Sequence, residues 1–140
     1  MTIKHQIILN YIKDLSVETP DAESVIAARE NFSKYSLKID IASKALKNKM
    51  IEVDTKLVYE DKNNKKKTFL EMIYSTVVRL EEEKLDPEDL KKFILCDIQI
   101  KLYPQIEKTF LEILKLSGFP SLHMNGKIDF YKLYMERKNQ

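Results

Sequence analysis

The spacing of apolar residues changes once along this chain, and that change constrains the fold more than any single motif. Over much of the stretch up to Leu80, apolar residues recur at every second position, the spacing that lays one side of a strand against a core. From Leu90 onward they recur at every third or fourth position, as on an amphipathic helix. Strands followed by helices predict an α+β fold, a four-stranded antiparallel sheet with helices packed on one face. A single domain, residues 1–140, fits this pattern, because 140 residues with a 44% hydrophobic share supply one core and not two.

The first strand is read over Ile7 to Val17, with Ile7, Leu9, Tyr11, Leu15 and Val17 on one side and Asn10, Asp14, Ser16 and Glu18 on the other. Lys13 interrupts the apolar side, and Ile8 and Ile12 fall on the polar one. Thr19 to Lys34 has no clear period and reads as a long crossover loop with one helical turn near Ala22 to Arg29. Alternation returns at Leu37 to Ile41, at Ile51 to Tyr59 and at Thr68 to Leu80. Asn63 and Asn64 in the polar stretch between the last two strands favour a hairpin turn there. Asp86-Pro87-Glu88-Asp89 combines an N-cap, a first-turn proline and acids that suit the helix dipole, so a helix starts here. It extends to about Leu116, with Gly118 as its C-cap. Pro104 should either kink one long helix or sit in the first turn of a second helix that begins near Ile98, and two helices are the preferred reading. An extended connection, Phe119 to Lys127, and a short helix after Asp129 complete the chain.

Several function classes drop out. With Gly118 and Gly126 as the only glycines, the chain has no phosphate loop, dinucleotide fingerprint or nucleophile elbow. His5 and His123 lack partners at ligand spacing, so no metal site is expected, and a surface or half-buried histidine is the ordinary reading of each. The lone Cys96 fits a reducing compartment, and the sequence has neither a secretory leader pattern nor an apolar run of about 18 residues; a cytoplasmic protein is expected. No catalytic constellation or cofactor motif is present, which points to a binding protein and not an enzyme. Its 24 basic and 22 acidic residues nearly cancel, leaving +2, so any charged partner must meet a local patch. Lys62, Lys65, Lys66 and Lys67 form one such patch; no aromatic is interleaved for base stacking, and a solvated turn is the ordinary reading.

Two other features suit binding. Asp14 and Glu18, four residues apart on a strand, share a sheet face roughly 13 Å apart, too far to act as a catalytic pair. Glu71 shares a face with Phe69, Ile73 and Val77. Such acids are either a solvated face or a docking surface for a basic partner. The helical half and its loops hold many large apolar residues, among them Ile100, Leu102, Tyr103, Leu122, Met124 and Ile128. Most belong to a core or a subunit interface, and any left exposed in grooves suit extended apolar segments.

The stretch Tyr11-Ile12-Lys13-Asp14-Leu15-Ser16-Val17-Glu18-Thr19-Pro20 resembles the opening Y-x-K-D-L/I-S-x-E-x-P of the SecB family of protein-export chaperones. Phe119-Pro120-Ser121-Leu122-His123-Met124, with Ile128-Asp129-Phe130 and Leu133-Tyr134, is similar to that family's ending. The resemblance implies a holdase that uses no nucleotide, assembles as a dimer of dimers, binds unfolded precursors and passes them to the SecA motor. It implies Asp14, Glu18, Phe69 and Glu71 as motor contacts, and client contacts drawn from Phe32, Ile100, Leu102, Tyr103, Leu122, Met124 and Ile128. The chain departs from the family in being slightly basic, and in having Glu107 where the family has arginine. A SecB-like chaperone for another client, such as an antitoxin, is the nearest alternative, and nucleic-acid binding through the lysine cluster a more distant one.

Overall fold

A computed structural model describes residues 3–61, 68–82, 84–120 and 128–138. Four strands, β1 (His5–Glu18), β2 (Ser36–Ala45), β3 (Met50–Glu60) and β4 (Phe69–Leu80), form one antiparallel sheet in the order β1-β4-β3-β2. The expected hairpin of the last two strands is present, with Met50 opposite Arg79 and Tyr59 opposite Leu70. Its tip, including the lysine cluster and Asn63 and Asn64, lies outside the described residues.

Alternation on the two inner strands decides which face is covered. Val53 and Leu57 on β3, with Leu70, Met72 and Val78 on β4, are fully buried. Burying each such side chain contributes about 1.5–3 kcal/mol. The helices cover this inner face. Asp86 caps α2 (Pro87–Lys92) by accepting from the Glu88 amide at 2.8 Å. The chain then widens into a π-helical segment, Phe93–Asp97, where the Ile98 amide reaches back to the Phe93 carbonyl, and continues as α3 (Ile98–Leu116). Ile98, Leu102, Ile106, Phe110 and Leu114, spaced four apart, form the buried stripe of α3.

The structure changes three expectations. First, the crossover contains a full helix, α1 (Ala22–Glu30), in place of a single turn. Asp21 caps it, accepting from the Ser24 amide at 2.8 Å, and a 3-10 turn, Phe32–Lys34, comes next. Only Ala28 of α1 is buried, which is why no apolar period marks the segment.

Second, a helix does begin at Ile98 as expected, but Pro104 lies beyond its first turn, and the run from Pro87 passes into it through the π segment rather than through a break. Pro104 and Ile100, whose carbonyl loses its usual donor, are both exposed, so water can replace that donor.

Third, β1 does not alternate uniformly. Its fourteen residues pair along a twelve-residue β4, with register shifts between Ile7 and Leu9 and between Ile12 and Asp14. Ile8 and Lys13 are the extra residues, and each bulge inverts the parity of the residues after it. By register, Ile7, Ile12, Leu15 and Val17 fall on the inner face, while Leu9, Tyr11, Asp14, Ser16 and Glu18 fall on the outer face.

The C-terminal end of α3 closes as expected at Gly118, with φ +96° and the Phe119 amide donating to the Leu114 carbonyl at 3.1 Å. Tyr35, Tyr59 and Phe119 stack there with ring centroids 5.1 to 5.6 Å apart. The final helix, α4 (Phe130–Lys138), starts after Asp129, whose carboxylate accepts from the Lys132 amide at 3.0 Å.

Candidate functional site

The outer face of the sheet carries the acids singled out from the sequence. Asp14 lies opposite Ile73, Ser16 opposite Glu71 and Glu18 opposite Phe69, so the two bulges bring Asp14, Glu18, Phe69 and Glu71 to one end of one face. Asp14 and Glu18 are exposed, and among the described residues neither has a hydrogen bond or an ion pair. Glu71 is less available, since its carboxylate binds the Lys56 ammonium at 2.7 Å. That carboxylate raises the lysine's pKa.

The middle of the same face is charge-balanced. Lys13 bridges to Glu52 at 2.5 Å and Asp54 at 3.1 Å. Tyr11 donates to Glu52 and Ser75 to Asp54, each at 2.6 Å. Hydrogen bonds from Lys13 and Tyr11 hold the Glu52 carboxyl below the usual carboxylate range, and the Glu52 bond raises the Lys13 ammonium. Among the described residues, the carboxylates of this region without a hydrogen bond or ion pair, Asp14 and Glu18, sit at one end, where the charge of Asp14 adds to that of Glu71 in raising Lys56.

The expected client contacts scatter. Ile100 is 60% exposed and Phe32 41%, whereas Leu102 and Tyr103 are buried core residues and offer a client no surface within the protomer. The reason is helical geometry: Leu102 lies on the stripe of α3 that meets the sheet, and Ile100, two positions earlier, points away. Ile128 is half-buried against the core. Leu122 and Met124, like His123, lie outside the described residues.

Other apolar surface escaped the sequence reading. A cleft of about 350 Å³ opens between β2 and the helices, lined by Ile41, Leu90, Ile94 and Leu95. A small hollow beside it adds Ile39 and Leu133. These residues come from β2, α2, the π segment and α4, and no local pattern joins them. β1 is an edge strand that exposes Ile8, Leu9, Ile12, Leu15 and Val17 by 37% to 46%. Among the described residues its outer backbone edge has no strand partner, which with that apolar surface favours pairing with another chain.

Among the described residues, no group of three or more His, Cys, Asp or Glu is placed to hold a metal. Cys96 is buried, and burial raises its thiol pKa. His5 packs edge-on against Phe93. No described helix is long and apolar enough to cross a membrane.

A family model described as preprotein translocase subunit SecB matches residues 2–140. A putative protein-export protein SecB of Pelagibacter ubique is 45% identical over 140 residues, covering 99% of this chain and all of that protein. The protein-export protein SecB of Rickettsia bellii is 31% identical over 132 residues, covering 93% and 85%. The fold is similar to that of a SecB-like chaperone of Mycobacterium tuberculosis, solved in complex with a peptide from an antitoxin. The TM-score is 0.65 at 16% identity, over 86% of each chain. By its match along nearly the whole sequence, the chain belongs to the SecB family.

Proposed function

We propose that this protein is a protein-export chaperone that holds precursors unfolded and delivers them to a SecA-type motor. The observation that carries the reading is the pair of exposed carboxylates, Asp14 and Glu18, which among the described residues make no hydrogen bond or ion pair, beside Phe69 and Glu71 on the sheet face away from the helices. A basic docking segment on the motor would gain charge pairs there, with Phe69 as an apolar contact and electrostatics setting approach and orientation. Glu71 joins once the motor displaces Lys56.

Clients occupy different surface. Extended apolar segments lie along exposed Phe32 and Ile100 and in the cleft beside Ile41, Leu90 and Ile94. Many weak contacts along one chain add up through tethering, so affinity tracks unfoldedness rather than sequence. Binding the unfolded state alone delays folding by mass action.

The assembly is a dimer of dimers. The apolar edge β1 serves as one interface and the exposed polar side of α3 beyond Pro104, with Gln105, Lys108 and Glu112, as a second one.

Charge reversal at Asp14, Glu18 and Glu71 tests the docking face. Calorimetry should register lost binding of the motor, while suppression of client aggregation by light scattering persists. Motor binding that survives all three reversals overturns the export reading and leaves a chaperone for another client, such as an antitoxin.

A further inference from the structure

We infer that Lys13 is the positioning residue of the docking face: by bridging to two carboxylates on β3, it holds the bulge that turns Asp14 and Glu18 outward. This role rests on the proposed docking of a motor at that face and concerns what keeps the face assembled.

Three observations converge. Lys13 is the extra residue of the second bulge, since Ile12 pairs with Tyr74 and Asp14 with the next residue, Ile73. Its ammonium reaches past β4 to Glu52 and Asp54 of β3. The two receiving carboxylates are held in turn by the Tyr11 and Ser75 hydroxyls. An edge strand is thus tied two strands inward by charge-assisted bonds at its point of irregularity.

Register arithmetic gives the consequence. Were Lys13 to enter regular pairing opposite Ile73, Asp14 would move opposite Met72, Ser16 opposite Leu70, and both would leave the outer face. Leu15 and Val17 would take their places. Both apolar residues are already about 40% exposed on the inner face, so burial within the protomer resists this slip only weakly. The Lys13 bridge supplies the missing preference.

Charge alone predicts the opposite sign from positioning, which makes the idea testable. Lys13→Met removes a cation from an acidic face and, on charge alone, should tighten binding of a basic partner. Positioning predicts weaker motor binding, by about tenfold, which is about 1.4 kcal/mol. Lys13→Arg, which keeps a two-carboxylate bridge, should restore it. NMR cross-strand contacts between Asp14 and Ile73 should fade in Lys13→Met and persist in Lys13→Arg, with client binding unchanged in both.

Lys13→Met that binds the motor as well as the parent or better, or retains the Asp14 to Ile73 contact in full, overturns the inference. If Asp14→Lys with Glu18→Lys leaves motor binding intact, the docking reading fails instead, and the NMR register alone decides whether Lys13 pins the strand.

Discussion

Replacing Leu15 with glutamate puts a charge into the apolar edge strand and should take the assembly apart while leaving the protomer folded. Leu15 is 43% exposed, beside Ile12 and Val17 with similar exposure on the same face. A leucine left open to that extent keeps roughly 80 Å² uncovered, so closing it against a partner contributes about 2 kcal/mol. A two-fold interface presents the same patch from both subunits, so losing both leucines costs about 4 kcal/mol, or about a thousandfold in dissociation constant. Burying the new carboxylates raises the cost further. The protomer loses little, because in isolation the site already faces water. Sedimentation equilibrium across the micromolar range reads the change, with Lys38→Glu on the opposite edge strand as a control that also introduces a glutamate. A parent that is monomeric throughout, or a Leu15→Glu variant that associates like the parent, refutes β1 as the interface.

Three further outcomes concern the fold that holds these surfaces. Gly118→Ala should cost at least 1–2 kcal/mol in urea unfolding, because φ is +96° and the new Cβ would lie 2.8 Å from Val25 Cγ1 on α1; an unchanged midpoint contradicts this. Thr55→Val strands the buried Gln99 amide, which donates to Thr55 Oγ1 at 2.9 Å, and should cost about 1–3 kcal/mol. Adding Gln99→Leu should recover part of that loss, and a double variant weaker than the single one rejects the account. Burial pushes the Tyr35 and Tyr103 hydroxyls up to about 12. Since the unfolded hydroxyls ionise near 10, stability should be intact below that pH and fall as pH rises from there toward 12. Replacing both with phenylalanine should flatten the slope, and an unchanged slope assigns it elsewhere.

Where local pattern and tertiary packing agree, the sequence was informative. β3 alternates without interruption because both its neighbours are strands and one of its faces is the core. The Asp86-Pro87 start of α2 and the Gly118 stop of α3 are local chemistry, readable without the fold. β1 was harder, since a bulge inverts parity and leaves only an imperfect alternation; Ile8 and Ile12 on the wrong side, with Lys13 interrupting, were its trace. α1 carried no period because it buries little. Of the site, the grouping of Asp14, Glu18 and Glu71 could be anticipated from parity and resemblance. The engagement of Glu71 by Lys56, the bridge from Lys13 to β3 and the cleft beneath β2 all join residues distant in sequence, and only strand order reveals them.

Capture of an unfolded chain, and indifference to the same chain once folded, is the property on which the functional account depends. Sedimentation velocity with a fluorescently labelled, slow-folding precursor measures it directly, the chaperone being added either at the moment of dilution from denaturant or after folding is complete. The account predicts a fast-sedimenting labelled complex in the first case and free precursor in the second. Equal binding in both cases, or none in either, would contradict it.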